Sequence, residues 1–144
     1  MKKLFIALLI GAGTFGFFQQ NPNAISAFAK QTTSYEQTVS QAYQNQLSDV
    51  QVRGTGRVSR VLPDDNKGSR HQKFILRLPS GQTILVAHNI DLAPRIPNIR
   101  RGDSVEFYGE YEWNQKGGVV HWTHHDPRGR HIGGWLKHKG KMYE

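Results

Sequence analysis

The sequence predicts a mainly β domain: a small five-stranded barrel, with a short N-terminal helix or spacer ahead of it and a signal peptide ahead of that. Three observations lead there. From Val50 onward, apolar and polar residues alternate with period two in five separate runs. Glycines sit inside the first run, while Pro, Gly, Asn and Asp fill the intervals between runs. The first residues have the composition of an export signal rather than of a folded element.

The elements follow in order. MKKLFIALLIGAGTFGFF begins with Lys2 and Lys3 and continues as an apolar run from Leu4 to Phe18; Ala27-Phe28-Ala29 then gives a small-x-small cleavage pattern. As a helix that run rises only ~22 Å, short of a ~30 Å hydrocarbon core. Residues 1–29 therefore read as a signal peptide, and the protein as exported, periplasmic or secreted, with no lasting membrane insertion. Residues 30–49 are a polar spacer or a short helix. Thr33 and Glu36 have capping-box spacing, and Tyr35, Val39, Tyr43 and Leu47 recur every four residues as one apolar stripe.

Residues 50–144 are the β domain with a basic C-terminal extension. QVRGTGRVSRVL is the first strand, and Gly54 and Gly56 within it point to a bulge or a sharp bend. PDDNKGSR is a loop. HQKFILRL sets Phe74, Leu76 and Leu78 against Lys73 and Arg77. Pro79-Ser80-Gly81 turns the chain into QTILVAH, and two prolines keep NIDLAPRIPNIRRGD from forming a long helix. SVEFYGEYEW places Val105, Phe107, Tyr111 and Trp113 on one face and Glu106, Tyr108, Glu110 and Glu112 on the other. Asn114 to Gly118 form a hairpin, and VVHWTHH is the fifth strand, ended by Asp126-Pro127. In GRHIGGWLKHKGKMYE, Trp135 and Tyr143 are the packing anchors. A glycine-bearing first strand and a longer connection between the third and fourth match the oligonucleotide/oligosaccharide-binding (OB) fold.

Nineteen Lys and Arg against eleven Asp and Glu give a net charge of +8. That balance favours a polyanionic partner, nucleic acid first, with anionic glycans and membrane surfaces behind it. The absence of cysteine excludes disulfides, a lipid-modified cysteine anchor and thiol nucleophiles. Neither G-x-S-x-G nor H-E-x-x-H is present. The Glu106/Glu110/Glu112 row reads as a solvated strand face rather than a glycosidase carboxylate pair.

Three polar segments flank the strands: Gly68 to His71, His88 to Arg95, and HWTHHDPRGRH at 121–131. Strand periodicity groups His121, Thr123 and His125 on one face and Trp122 and His124 on the other. Asn89, Asp91 and Asp126 also suit Asx turns. Yet five of the seven histidines fall within residues 121–138, more than capping requires. Histidines suit proton transfer near pH 7, and arginines clamp phosphate. The expected catalytic set is His88, Asp91, His124, His125 and His131; the expected substrate-binding set is Arg70, His71, Asn89, Arg95, Asp126, Arg128 and Arg130. A divalent metal ion is the cofactor these residues admit, on His88, Asp91, His125 and His131. The expectation is a phosphodiester hydrolase of nuclease type. The alternatives are a non-catalytic module for nucleic acid or anionic glycan, and a periplasmic metal-binding protein.

RHQKFILRLPSGQTILVAHNIDLAPRI, GDSVEFYGEYEWNQKGGVVHWTHHDPRGRH and GWLKHKGK together resemble one uncharacterised family of small exported bacterial proteins. The resemblance runs from about Gly54 to the C-terminus, with HNIDLAPR and HWTHHDPRGRH as its most specific stretches. It implies exported bacterial origin and no particular chemistry. A more distant likeness to small nucleases and binding modules on the same barrel is one of fold, and fold does not fix function.

Overall fold

Residues 38–144 are described by a computed structural model. The signal-peptide reading, Thr33, Tyr35 and Glu36 lie outside the described residues. One helix, α1 (Val39–Gln44), precedes seven strands: β1 (Val50–Asp65), β2 (His71–Arg77), β3 (Thr83–Asn89), β4 (Ser104–Glu112), β5 (Val119–His121), β6 (Trp135–His138) and β7 (Lys141–Tyr143). Thr38 caps α1, its hydroxyl accepting from the Gln41 N–H at 3.2 Å. Val39 and Ala42 are buried in the main core, with Tyr43 and Leu47 packed against it.

The strands form one sheet in the order β1-β2-β3-β5-β4-β6-β7, and a further β1–β4 pairing closes five of them into a ring. β1 can serve both neighbours because it is long. Val50 to Arg57 pair with β4, and Arg57 to Asp65 pair with β2. The interior glycines sit where this strand is closely approached. A Cβ at Gly54 would lie 2.8 Å from the Phe107 ring, and one at Gly56 would lie 3.0 Å from Leu76 and from the Arg77 carbonyl. The register shifts come further on, between Val58 and Arg60 and between Leu62 and Asp65. The second lets β1 continue through Pro63, which has no N–H to give a ladder. The expected loop at 63–65 is therefore strand.

Inward residues of every ring strand build the core, among them Val52, Phe74, Leu76, Ile84, Val86, Val105, Phe107 and Val120. Tyr111 is buried as well. It donates its hydroxyl to the Gly117 carbonyl at 2.7 Å, and burial pushes its pKa up to about 12. The long β3–β4 connection is pinned by buried Gln72, which bonds both the N–H and the carbonyl of Ile96 at 2.9 Å. The C-terminal segment is a hairpin rather than an irregular tail. Lys139 and Gly140 both have positive φ, as a two-residue turn between β6 and β7 requires. The sheet thus has seven strands, five of them in the ring.

β5 differs most from expectation. It stops after three residues because Trp122 adopts φ 53°, a left-handed conformation costing a bulky residue ~1–2 kcal/mol. Two glycines make room for this turn. A Cβ at Gly109 would sit 2.5 Å from the His121 carbonyl oxygen, and one at Gly134 would run into the carbonyl oxygens of Trp122 and Tyr108. The turn reverses the inside–outside alternation. His121 and Trp122 are only partly buried, while Thr123 and His124 are both buried. The expected grouping of His121 with Thr123 and of Trp122 with His124 does not hold beyond His121. Replacing Gly134 with alanine should cost on the order of 3 kcal/mol in chemical denaturation. An unchanged midpoint would show that the two backbones can part.

Candidate functional site

The polar segments do meet, and most of their side chains are spent on one another. His88, next to last in β3, faces inward and is fully buried. Its Nε2 lies 2.9 Å from the Pro94 carbonyl, which can only accept, so Nε2 carries the proton and donates. Its Nδ1 then accepts from the Thr123 hydroxyl at 2.7 Å. One neutral imidazole thus ties HNIDLAPR to HWTHHDPRGRH. Burial lowers its pKa from 6.5 to about 4, against the Pro94 bond that raises it.

Asn89 accepts from the N–H groups of Asp91 and Leu92, holding the turn after β3. Asp91 accepts from the backbone N–H of Arg70 at 2.9 Å and from its Nε at 2.7 Å, and these bonds lower its pKa. His71 places Nδ1 2.8 Å from the Ser69 carbonyl, and Arg95 pairs with Asp64 of β1. Of the residues expected to bind substrate, Arg70, His71, Asn89 and Arg95 are therefore already engaged within the protein. His124 is buried with Nδ1 2.8 Å from the His125 carbonyl. The His125 side chain is exposed and makes no hydrogen bond among the described residues.

The loop from Asp126 to His131 is built differently. The Asp126 carboxylate accepts from the backbone N–H groups of Arg128, Arg130 and His131 at 3.0, 2.9 and 2.8 Å. The Arg128 bond leads in lowering its pKa. Gly129 takes φ 62° at the bend. With Asp126 occupied by backbone, Arg128 and Arg130 point outward without an ion-pair partner among the described residues. They line a cavity of about 610 Å³ with Leu92, Trp122, Asp126, Pro127 and His131. Trp122 stacks on His131 at 3.9 Å between ring centres and 9° between planes. Burial alone would lower the His131 pKa. Its Nε2 bond to Glu110, its Nδ1 bond to the Ile132 carbonyl and the nearby carboxylates outweigh that and raise it.

The four side chains expected to hold a metal do not gather. His88 is buried with both nitrogens bonded, Asp91 is held by Arg70, and His125 stands exposed. The ligand atoms within 4.8 Å of one another among the described residues belong instead to Glu110, Glu112 and His121. Antiparallel pairing sets Glu110 opposite His121 and Glu112 opposite Val119. The hairpin register could have revealed this group, since both strands and their connecting turn were legible. The solvated-face reading of the glutamate row concealed it.

Fold and site together define a small, mainly β domain with a preorganised basic loop over an aromatic floor. The chain belongs to the family described as "Protein of unknown function (DUF3465)", whose model matches residues 23–144. The match begins well before Gly54. No match is found among curated proteins.

His88 sets a pH dependence of stability. Its pKa is lower folded than unfolded, so the unfolded chain binds the extra proton first as pH falls. The contribution, about 3 kcal/mol, is complete above pH 6.5 and is lost as pH falls toward 4. Denaturant midpoints should drop across that window, and the ring should titrate near its lower end by NMR. A ring titrating near 6.5 would refute the buried, neutral assignment.

Proposed function

We propose that this domain is an OB-like module that binds a polyanion, nucleic acid foremost, at the Asp126–His131 loop, and that it works outside the cytoplasm. The observation that carries the reading is the pairing of two outward arginines with a stacked Trp122–His131 floor in one cavity. Guanidinium groups suit phosphate oxygens, and flat rings suit bases. Asp126 accepts three backbone N–H bonds, so the loop is already shaped and little ordering cost falls on binding. The net charge of +8 adds long-range attraction. For the OB-like assignment, the support is the five-strand ring with its parallel β3–β5 pair. For export, it is MKKLFIALLIGAGTFGFF with Ala27-Phe28-Ala29 after it.

Fluorescence titration of the chain with single-stranded oligonucleotides should give affinity that falls steeply with salt. Replacing Arg128 and Arg130 together with alanine should flatten the log–log salt slope by roughly 1.5. Equal slopes for the two proteins would place binding elsewhere.

Hydrolysis of the bound phosphodiester is a second reading, favoured by His131. Its Nε2 lies 3.0 Å from a Glu110 carboxylate oxygen and its Nδ1 2.8 Å from the Ile132 carbonyl, so its ring lines the cavity as a doubly donating imidazolium whose charge lies beside a bound phosphodiester. Incubation with DNA and RNA, with and without EDTA, should yield cleavage that His131→Gln abolishes. Intact substrate under both conditions would leave binding without catalysis.

A further inference from the structure

We infer that Glu110, Glu112 and His121 form a binding site for one divalent transition-metal ion on the outer face of β4 and β5, next to the polyanion loop and linked to it through His131. The donors are spaced as metal ligands are. His121 Nε2 lies 3.2 Å from Glu110 Oε2 and 3.5 Å from Glu112 Oε1. Metal–ligand bonds of ~2.1 Å set neighbouring donors about 3 Å apart in octahedral and about 3.4 Å apart in tetrahedral coordination. The observed separations match those edges.

His121 Nε2 is shielded from solvent and lies between the two carboxylates, within ion-pairing distance of both but with well-aligned hydrogen-bond geometry to neither among the described residues. In the tautomer protonated at Nδ1, this nitrogen turns its lone pair into the space between the three groups, where a metal ion takes the place of the proton that otherwise pairs it with the glutamates. A divalent ion satisfies it and balances both glutamates.

A second layer of side chains lies behind the donors. Glu110 turns Oε2 toward His121 and Oε1 toward His131 Nε2, at 3.0 Å. His131 is fixed in turn by its Nδ1 bond to the Ile132 carbonyl and by the stack on Trp122. This outer shell orients the glutamate as outer-shell partners orient metal ligands. Asp49 supplies a further carboxylate beside Glu112. Three carboxylates thus gather at this end of β4, and an added cation balances charge that the imidazole alone does not. Two carboxylates and one imidazole suit zinc, manganese or iron(II) better than calcium or magnesium, which prefer all-oxygen sites.

The test is calorimetric titration of the EDTA-stripped full-length chain with zinc chloride and with manganese chloride. One equivalent should bind, and the melting temperature should rise with it. Glu112→Gln and His121→Gln should each weaken binding more than ~100-fold, and His131→Phe by about tenfold, the scale of an outer-shell loss. His125→Ala should change nothing, which separates this site from adventitious binding at an exposed imidazole. Glu112→Gln is nearly isosteric at a partly exposed position, and circular dichroism verifies its fold. Absence of binding by the parent chain overturns the site, and so does binding that survives Glu112→Gln.

Discussion

The left-handed turn at Trp122 is the constraint from which the polar end of this domain takes its form. Continued as a strand, residues 121–125 would send His121, Thr123 and His125 to one face. The turn shifts the alternation by one residue. His121 stays outside opposite Glu110, Trp122 comes out over His131, and Thr123 goes in to meet His88. A tryptophan pays ~1–2 kcal/mol for that backbone. A buried hydrogen bond contributes about 1 kcal/mol, and aromatic stacking about as much again. The two gains offset the strain, provided Gly109 and Gly134 leave the backbone its room.

From this follows a division of labour among residues that look alike in one dimension. His88, Asn89, Asp91 and Asp126 satisfy backbone or buried partners, so their polarity is consumed in holding three segments together. A buried polar group left unpaired costs more than its bond contributes when made. Such groups therefore come in complementary sets, and a crowd of them in sequence need not signal chemistry. Arg128 and Arg130 remain outward because Asp126 is occupied by their own backbone N–H groups.

How much of this was legible from sequence depended on whether a residue's fate was local. β2, β3 and β4 followed from period-two alternation, since each has one buried face. The Asx turns at Asn89 and Asp126 followed from side chains that reach their own backbone. The passage of β1 through Pro63, the short β5 and the β6–β7 hairpin did not. A bulge, a left-handed tryptophan and pairing to β4 decided them, and each depends on residues far along the chain. The site behaved likewise. Arg128, Arg130 and His131 were legible as a loop. Glu110, Glu112 and His121 needed the strand register, and the row of glutamates hid them.

That row shows why an outward strand face cannot be read from alternation alone. Glu106, at one end, is neutralised by Arg53, whose guanidinium lies 3.1 Å away and also sits 5.2 Å over the Trp135 ring. An arginine is charged at every physiological pH, so that end needs nothing more. At the other end, among the described residues, Glu110 and Glu112 face only His121 and His131, with Asp49 adding to the negative charge. Imidazoles are conditionally charged, so this end stays under-neutralised in a molecule otherwise strongly basic. The asymmetry is confined to the few residues where β4 meets β5. It is there, rather than among the histidines buried beneath it, that the fold leaves charge for a ligand to balance.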